Sequence, residues 1–272
     1  MKIACVQLTT GEKVEDNLNL VIPRIREAAQ NGARIIVCPE ATSQAFSAGR
    51  LDTQAEDLEG TFATRLQELA QELEVLIVAG TFRPADQHEV DGKTLNRVFN
   101  TALITGLGHH EGYDKIHTYD AFDYRESDTV RPGEDYVVVD VDGLKVGVAI
   151  CYDIRFPEQF KELARRGAEL IVVPTSWADG DGKLNAWRTL STARALDSVS
   201  YIAAAGQARP GGNAKAGEAS GPTGIGHSVI VDPNGQRLAE AGYEDEIVYA
   251  TIDQDAVQEA RKKLPILDWT GA

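Results

Sequence analysis

Residues 144–158 read LKVGVAICYDIRFPE. An apolar run from Leu144 to Ile150 delivers Cys151, and Pro157 then stands where a helix can open, since the first helical turn leaves its missing N–H without a partner anyway. Strand, sharp turn and helix make the geometry of a nucleophile elbow, here with a thiol in place of a hydroxyl. A helix N-terminus beside the sulfur would help to lower the thiol pKa. On position alone the commoner reading of such a cysteine is a buried one closing a core strand, so the rest of the chain has to decide.

Two further segments share the design. RIIVCPEA (34–41) runs into Glu40 after Pro39, which cannot donate to a ladder and so ends the strand. EGYDKIH (111–117) delivers Lys115. In open sheets, reactive groups gather in the crevice outside strand ends. Cleaving an amide needs a nucleophile, a base that takes its proton and passes one to the leaving amine, and a donor for the developing oxyanion. Cys151, Glu40 and Lys115 supply one of each. Taken singly, Glu40 reads as a solvated loop acid and Lys115 as a surface lysine. Cys5 and Cys38 lie within apolar strands and read as core. His109–His110 beside Glu111 reads as a solvated turn, and no second cluster has zinc spacing. The Gly-rich stretch 211–226 lacks the Gly-Lys-Ser/Thr ending of a phosphate loop. Neither metal nor cofactor is expected.

Outward from these segments, strands and helices alternate along the whole chain. Helical spacing is expected over 14–31, 62–73, 157–166, 184–199 and 253–263. Strands are expected at 2–8, at VLIVAGTF (75–82), as a pair around Gly106–Gly108, and as a pair around the turn Asp142–Gly143. Others are expected at ELIVVPTSW (169–177), at SYIAAAGQA (200–208), in a hairpin about Pro233–Asn234–Gly235, and at IVYATID (247–253). This pattern predicts a layered α/β fold. The polar stretch Tyr119–Asp135 is long enough to be a functional loop, and 211–226 reads as a mobile loop. No linker and no repeat stands out, so one domain is expected over 1–265, with a short tail at 266–272.

Composition narrows the function. Of 272 residues, 43% are hydrophobic, which suffices for a buried core. A formal net charge of -15 argues against nucleic acid and against anionic membrane surfaces. No apolar run approaches the roughly 18 residues of a membrane span. The segment MKIACVQLTT reads as a first strand and not as a signal peptide. Three cysteines in a long chain make a disulfide framework unexpected and a reducing cytoplasm the default.

With these segments in place, the chain resembles the nitrilase superfamily, also called carbon–nitrogen hydrolases, from Lys2 to about Pro265. The motifs that carry the resemblance are PEA with Glu40, DKIHTYD with Lys115 and GVAICYDIRFPE with Cys151. RESDTVRPG, ARRGAELIVVPTSW, the run from Thr192 to Ala208 and GHSVIVDPNG follow in family order. The resemblance implies a four-layer αββα sandwich that dimerises. It implies Glu40 as general base, Lys115 as transition-state stabiliser and Cys151 as nucleophile. Glu126 matches a second glutamate that orients the lysine and the substrate, the Tyr152 N–H would share the oxyanion hole, and Trp177 matches a pocket-lining position. Cys-Tyr-Asp resembles the amidase branch. True nitrilases usually show Cys-Trp-Glu, and carbamoylases Asn-Asp-Arg-Arg after the cysteine. The nearest likeness is to omega-amidases and deaminated-glutathione amidases, so a small amide is the expected substrate. A nitrilase or N-carbamoyl hydrolase using the same trio, or an inactive binding protein of the same fold, remain the alternatives. The run GQARPGGNAKAGEASGPTG (206–224) departs from both amidase types, being longer and richer in Gly, and is expected to shape the pocket. Arg155 and Arg209 lie near the motifs and are candidates to hold a substrate carboxylate.

Overall fold

Strands buried on both faces lose the polar alternation of half-buried ones, and those of this chain do so for a visible reason. The computed structural model describes residues 1–121 and 124–268, Tyr124 by its backbone alone. The first half of the chain runs β1 (Lys2–Gln7), α1 (Val14–Gln30), β2 (Ile35–Val37), α2 (Thr61–Leu73), β3 (Leu76–Val90), β4 (Lys93–Gly106) and β5 (His109–Asp114). Short strands β6 (Asp120–Ala121) and β7 (Tyr124–Arg125) follow. Next come β8 (Val138–Val141), β9 (Leu144–Val148), α3 (Pro157–Arg165), β10 (Leu170–Thr175), α4 (Lys183–Ser198) and β11 (Tyr201–Gly206). The chain closes with β12 (Val229–Val231), β13 (Arg237–Glu240), β14 (Glu246–Thr251) and α5 (Gln254–Lys263).

Two six-stranded mixed sheets result, ordered β14-β1-β2-β3-β4-β5 and β13-β12-β11-β10-β9-β8. In the first, Ile3, Cys5, Ile35, Val37, Leu76 and Val78 point toward the second sheet. The alternating Ala4, Val6, Ile36, Cys38, Ile77 and Ala79 point out against α1 and α2. A strand has side chains on both faces in turn, so sandwiching it between a sheet and helices makes every position apolar. Helices α3 and α4 cover the second sheet through contacts to β9 and β11. The architecture is the expected α-β-β-α sandwich. On α1, Val14, Leu18, Val21 and Ile25 form the buried stripe. Cys5 and Cys38 are buried thiols. No described helix is long and apolar enough to cross a membrane.

The expectation of no repeat needs correcting. Each sheet has three neighbouring parallel strands, β1-β2-β3 and β9-β10-β11, flanked by antiparallel strands. Helices α1 and α2 connect the first trio as α3 and α4 connect the second. The sequence carries a trace of this: NGARIIVCPE (31–40) and RGAELIVVPT (166–175) share Gly-Ala, an Ile-Val or Ile-Val-like run and a proline at matching places. Gly32 and Gly167 both have positive φ, as helix-ending glycines do.

Three other expectations also change. Strands β3 and β4 extend into a long arm turning at Asp91–Gly92, both with positive φ. The sequence reading stops at Phe82 because the arm is polar and contains Pro84, whose lost donor is accommodated by a register shift between Pro84 and Gln87. His109 and His110 lie on β5, not in a solvated turn. Their Nε2 atoms meet the Asp140 carbonyl and the Leu58 carbonyl, each at 2.8 Å. The stretch 211–226, read as mobile, is tethered: Arg209 donates to the carbonyls of Lys215 (3.2 Å) and Glu218 (3.0 Å), and the Gly217 N–H donates to Asp179 (2.8 Å). Of the expected tail, Arg165 Nε reaches the Leu267 carbonyl at 3.2 Å, and 269–272 lie outside the described residues, as do 122–123 of the expected functional loop.

Candidate active site

Glu40 leaves the carboxyl end of β2 and the chain turns at once, Ala41 having φ 59°. The crossing backbone lies against Gly80 of β3: a Cβ there would stand 2.5 Å from the Ala41 nitrogen and 2.6 Å from Glu40 Cα. Gln207, just beyond β11, donates to the Glu40 carbonyl at 2.9 Å. The carboxylate itself is 1% exposed. Its Oε2 accepts the Ser176 N–H at 2.8 Å, and its Oε1 accepts Asn100 Nδ2 at 2.8 Å and Lys115 Nζ at 3.2 Å.

Lys115 follows β5, with its N–H donated to the Asn100 carbonyl at 2.8 Å. Its ammonium lies 3.0 Å from each carboxylate oxygen of Glu126. Glu126 opens a 3-10 turn over Glu126–Asp128 and also accepts the Tyr119 N–H at 2.5 Å. Cys151 comes from the other sheet, past β9, and has φ 42°. Positive φ is rare for a side chain of this kind and marks a sharp turn. The thiol shares the cavity wall with Glu40 and Ser176, close enough to Glu40 for their charges to be coupled.

Burial dominates the electrostatics. It raises the Glu40 pKa, with Glu126 adding to the shift while Lys115 opposes it. Burial also pushes the Cys151 thiol well above its usual range, and the Glu40 charge adds to this while Lys115 opposes it. For Lys115 burial works against the charge, but Glu126, Glu40 and Cys151 prevail and hold the ammonium charged. The expectation that a helix N-terminus lowers the thiol pKa therefore fails. Cys151 opens only a five-residue 3-10 helix, and α3 begins at Pro157. Burial and the Glu40 charge both favour the protonated thiol.

Glu40, Lys115, Glu126, Cys151, Tyr152 and Trp177 all line one cavity of about 670 Å³. Arg155 lines it too, its guanidinium 5.1 Å over the Trp177 ring and 5.9 Å over that of Tyr152. Ser220 to Pro222 of the Gly-rich run form another part of the wall. Arg209 does not line the cavity: it is buried and pairs with Asp179 at 3.2 Å, clamping the loop. Sequence reading missed Asn100, which bridges Glu40 and Glu126, and nothing local in NRVFNTALITG signals it. It also missed Gln207, and it took Asp153 only as a branch marker. Among the described residues no group of three His, Cys, Asp or Glu side chains is arranged to hold a metal ion.

Known proteins resemble the chain over its length. A profile described as carbon–nitrogen hydrolase matches residues 2–262. A hydrolase of Mycobacterium tuberculosis is 44% identical, over 98% of this chain and 94% of its own. An omega-amidase of Mus musculus is 32% identical, over 98% of this chain and 93% of its own. The crystal structure of Saccharomyces cerevisiae Nit3, a member of branch 10 of the nitrilase superfamily, superposes with a TM-score of 0.80 at 29% identity, covering 98% of this chain and 94% of that one.

Proposed function

The chain belongs to the carbon–nitrogen hydrolase family, and we propose that it is the amidase of a small carboxamide that carries a carboxylate at its far end, working through an acyl-enzyme on Cys151. The observation that carries this reading is an ammonium held between two buried carboxylates, one of which faces the Cys151 thiol in the same cavity.

The steps follow from that arrangement. Cys151 Sγ attacks the amide carbon as its proton passes to Glu40, whose raised pKa makes it a stronger base than an ordinary glutamate. A thiol paired with a base in this way needs no resting thiolate. The carbonyl oxygen takes the electron pair and is stabilised by Lys115 Nζ and the Tyr152 N–H. Glu40 returns the proton to the nitrogen, the C–N bond breaks and ammonia leaves. Water, giving its proton to Glu40, then attacks the thioester; the C–S bond breaks, the acid is released and Cys151 regains its proton. Glu126 keeps Lys115 charged and aimed, a role that leaves it out of the proton transfers.

The cavity also bears on substrate class. At its inner end Glu40 and Glu126 outnumber Lys115, so a substrate carboxylate is repelled there. Arg155, exposed and spread over two aromatic rings, offers a planar cation at a more open part of the wall. An amide of a 2-oxo dicarboxylic acid, or of glutathione whose amine has become a ketone, would lie with its amide inward and its carboxylate toward Arg155. As the resemblance implies, the enzyme would act as a cytoplasmic homodimer; sedimentation at single-chain mass would remove the dimer.

The test is ammonia release from 2-oxoglutaramate and from deaminated glutathione, with Cys151→Ala as control. Turnover of either that vanishes in the variant supports the reading. Release from a broad amide panel by neither protein sinks it.

A further inference from the structure

Asp153 takes no part in these steps, yet its carboxylate sits where the two sheets' contributions to the site meet. It is fully buried. Its Oδ2 accepts the Ile150 N–H at 2.8 Å and the Tyr113 hydroxyl at 2.6 Å. Its Oδ1 accepts the His117 N–H at 3.0 Å and His117 Nδ1 at 2.8 Å. Ile150 and Asp153 flank Cys151 on the chain, whereas Tyr113 and His117 flank Lys115. One carboxylate thus joins the turn that carries the thiol, on the second sheet, to the segment that carries the ammonium, on the first.

We propose that Asp153 is a positioning residue that fixes Lys115 relative to Cys151 by gripping Tyr113 and His117. This rests on the reading above, in which those two residues act as a pair.

The partners are themselves held. The Tyr113 hydroxyl, also fully buried, accepts Gln159 Nε2 from α3 at 2.7 Å and the Ile116 N–H at 3.3 Å. The His117 ring stacks on Phe156, centroids 3.6 Å apart and planes within 8°. Burying a carboxylate is costly unless its oxygens are satisfied, and among the described residues its four hydrogen bonds all go to the two reactive segments. Packing alone would be met by an apolar side chain of similar volume. What an apolar side chain cannot do is set a distance across the seam. That distance matters because a misplacement of about 1 Å can cost on the order of 100-fold in rate.

Three variants test it: Tyr113→Phe, which removes one hydroxyl; His117→Phe, which keeps the stack and removes the Nδ1 contact; and Asp153→Asn, which sets a donor among donors. The first readout is kcat against KM. The second is the rate of Cys151 alkylation by iodoacetamide against pH, which needs no amide substrate. We expect kcat to fall about 10- to 100-fold with KM within about twofold. We expect the alkylation profile to move to higher pH, because the thiolate loses the field of a well-placed Lys115. Lowered thermal stability with wild-type kcat, KM and alkylation profile would overturn the proposal, and so would a fall in kcat with an unmoved profile. Should Asp153→Asn fail to fold, the two single-contact variants decide. Should the wild type hydrolyse no amide, the functional reading fails by itself, and the alkylation profile alone still decides the role of Asp153.

Discussion

In the proposed mechanism one proton passes between two buried groups, Glu40 and Cys151, and the direction of each shift sets the pH response. In that mechanism Glu40 must be ionised to accept the thiol proton. Its raised pKa places the acid limb of kcat/KM above the range of an ordinary glutamate. The thiol and the ammonium are both raised well above their usual values, so activity should not bend where a free thiol ionises. A pH–rate profile that rises with the Glu40 limb and stays flat through mildly alkaline pH is the expected result; a rise centred on ordinary thiol ionisation would instead mean a resting thiolate nucleophile. Glu126 gives a second prediction. Glu126→Gln keeps the shape but halves the counter-charge on Lys115, and turnover should fall by about two orders of magnitude with the thermal midpoint little changed. Arg155 gives a third. In Arg155→Met the ratio of kcat/KM for 2-oxoglutaramate over butyramide should fall about tenfold, the lower end for a charged hydrogen bond because the guanidinium is exposed. An unchanged ratio would put the carboxylate elsewhere.

Elements decide where those residues stand, and Gly80 shows how little room they leave. A methyl there runs into the backbone of Ala41 and Glu40, not into a side chain that could swing away. Gly80→Ala should cost about 1–3 kcal/mol, read as a lower urea midpoint at constant m-value, and activity should fall with it because Glu40 is displaced. The same distinction between backbone and side chain explains what the sequence made legible. Glu40, Lys115 and Cys151 each end an apolar run, a pattern that periodicity and proline mark directly. Asn100 sits inside β4 in a stretch that reads only as a strand, and its role depends on which strand lies beside Glu40. The β3–β4 arm was hidden by its polarity, since an arm with little core to face carries no apolar signal. The Gly-rich run reads as mobile from composition, yet Arg209 and Asp179 tie it down through contacts made far along the chain. Pairings of this kind are tertiary and leave no local trace.

Over the whole molecule, the site lies across the seam between two similar halves, one supplying Glu40 and Lys115, the other Cys151 and Ser176. Two buried glutamines stitch that seam. Gln7, at the end of β1, donates to the Gly242 carbonyl at 2.8 Å and accepts the Ser228 N–H at 2.8 Å. Gln207, past β11, accepts the Thr10 N–H at 3.0 Å and donates to Thr10 Oγ1 at 2.8 Å and to the Glu40 carbonyl at 2.9 Å. Both replacements by leucine leave buried backbone groups unpaired, at a cost of about 1–3 kcal/mol each. Only Gln207 touches the backbone that carries a reacting group. If the seam serves stability alone, Gln7→Leu and Gln207→Leu should lose activity in equal measure once both are assayed well below their melting temperatures. If it also sets the distance from Glu40 to Cys151, the two should be alike in denaturant midpoint and unlike in kcat, with Gln207→Leu lower by about tenfold or more. The geometry favours the second outcome, because the Gln207 amide meets the main chain of Glu40 itself, leaving the carboxylate no flexible segment over which to recover its place.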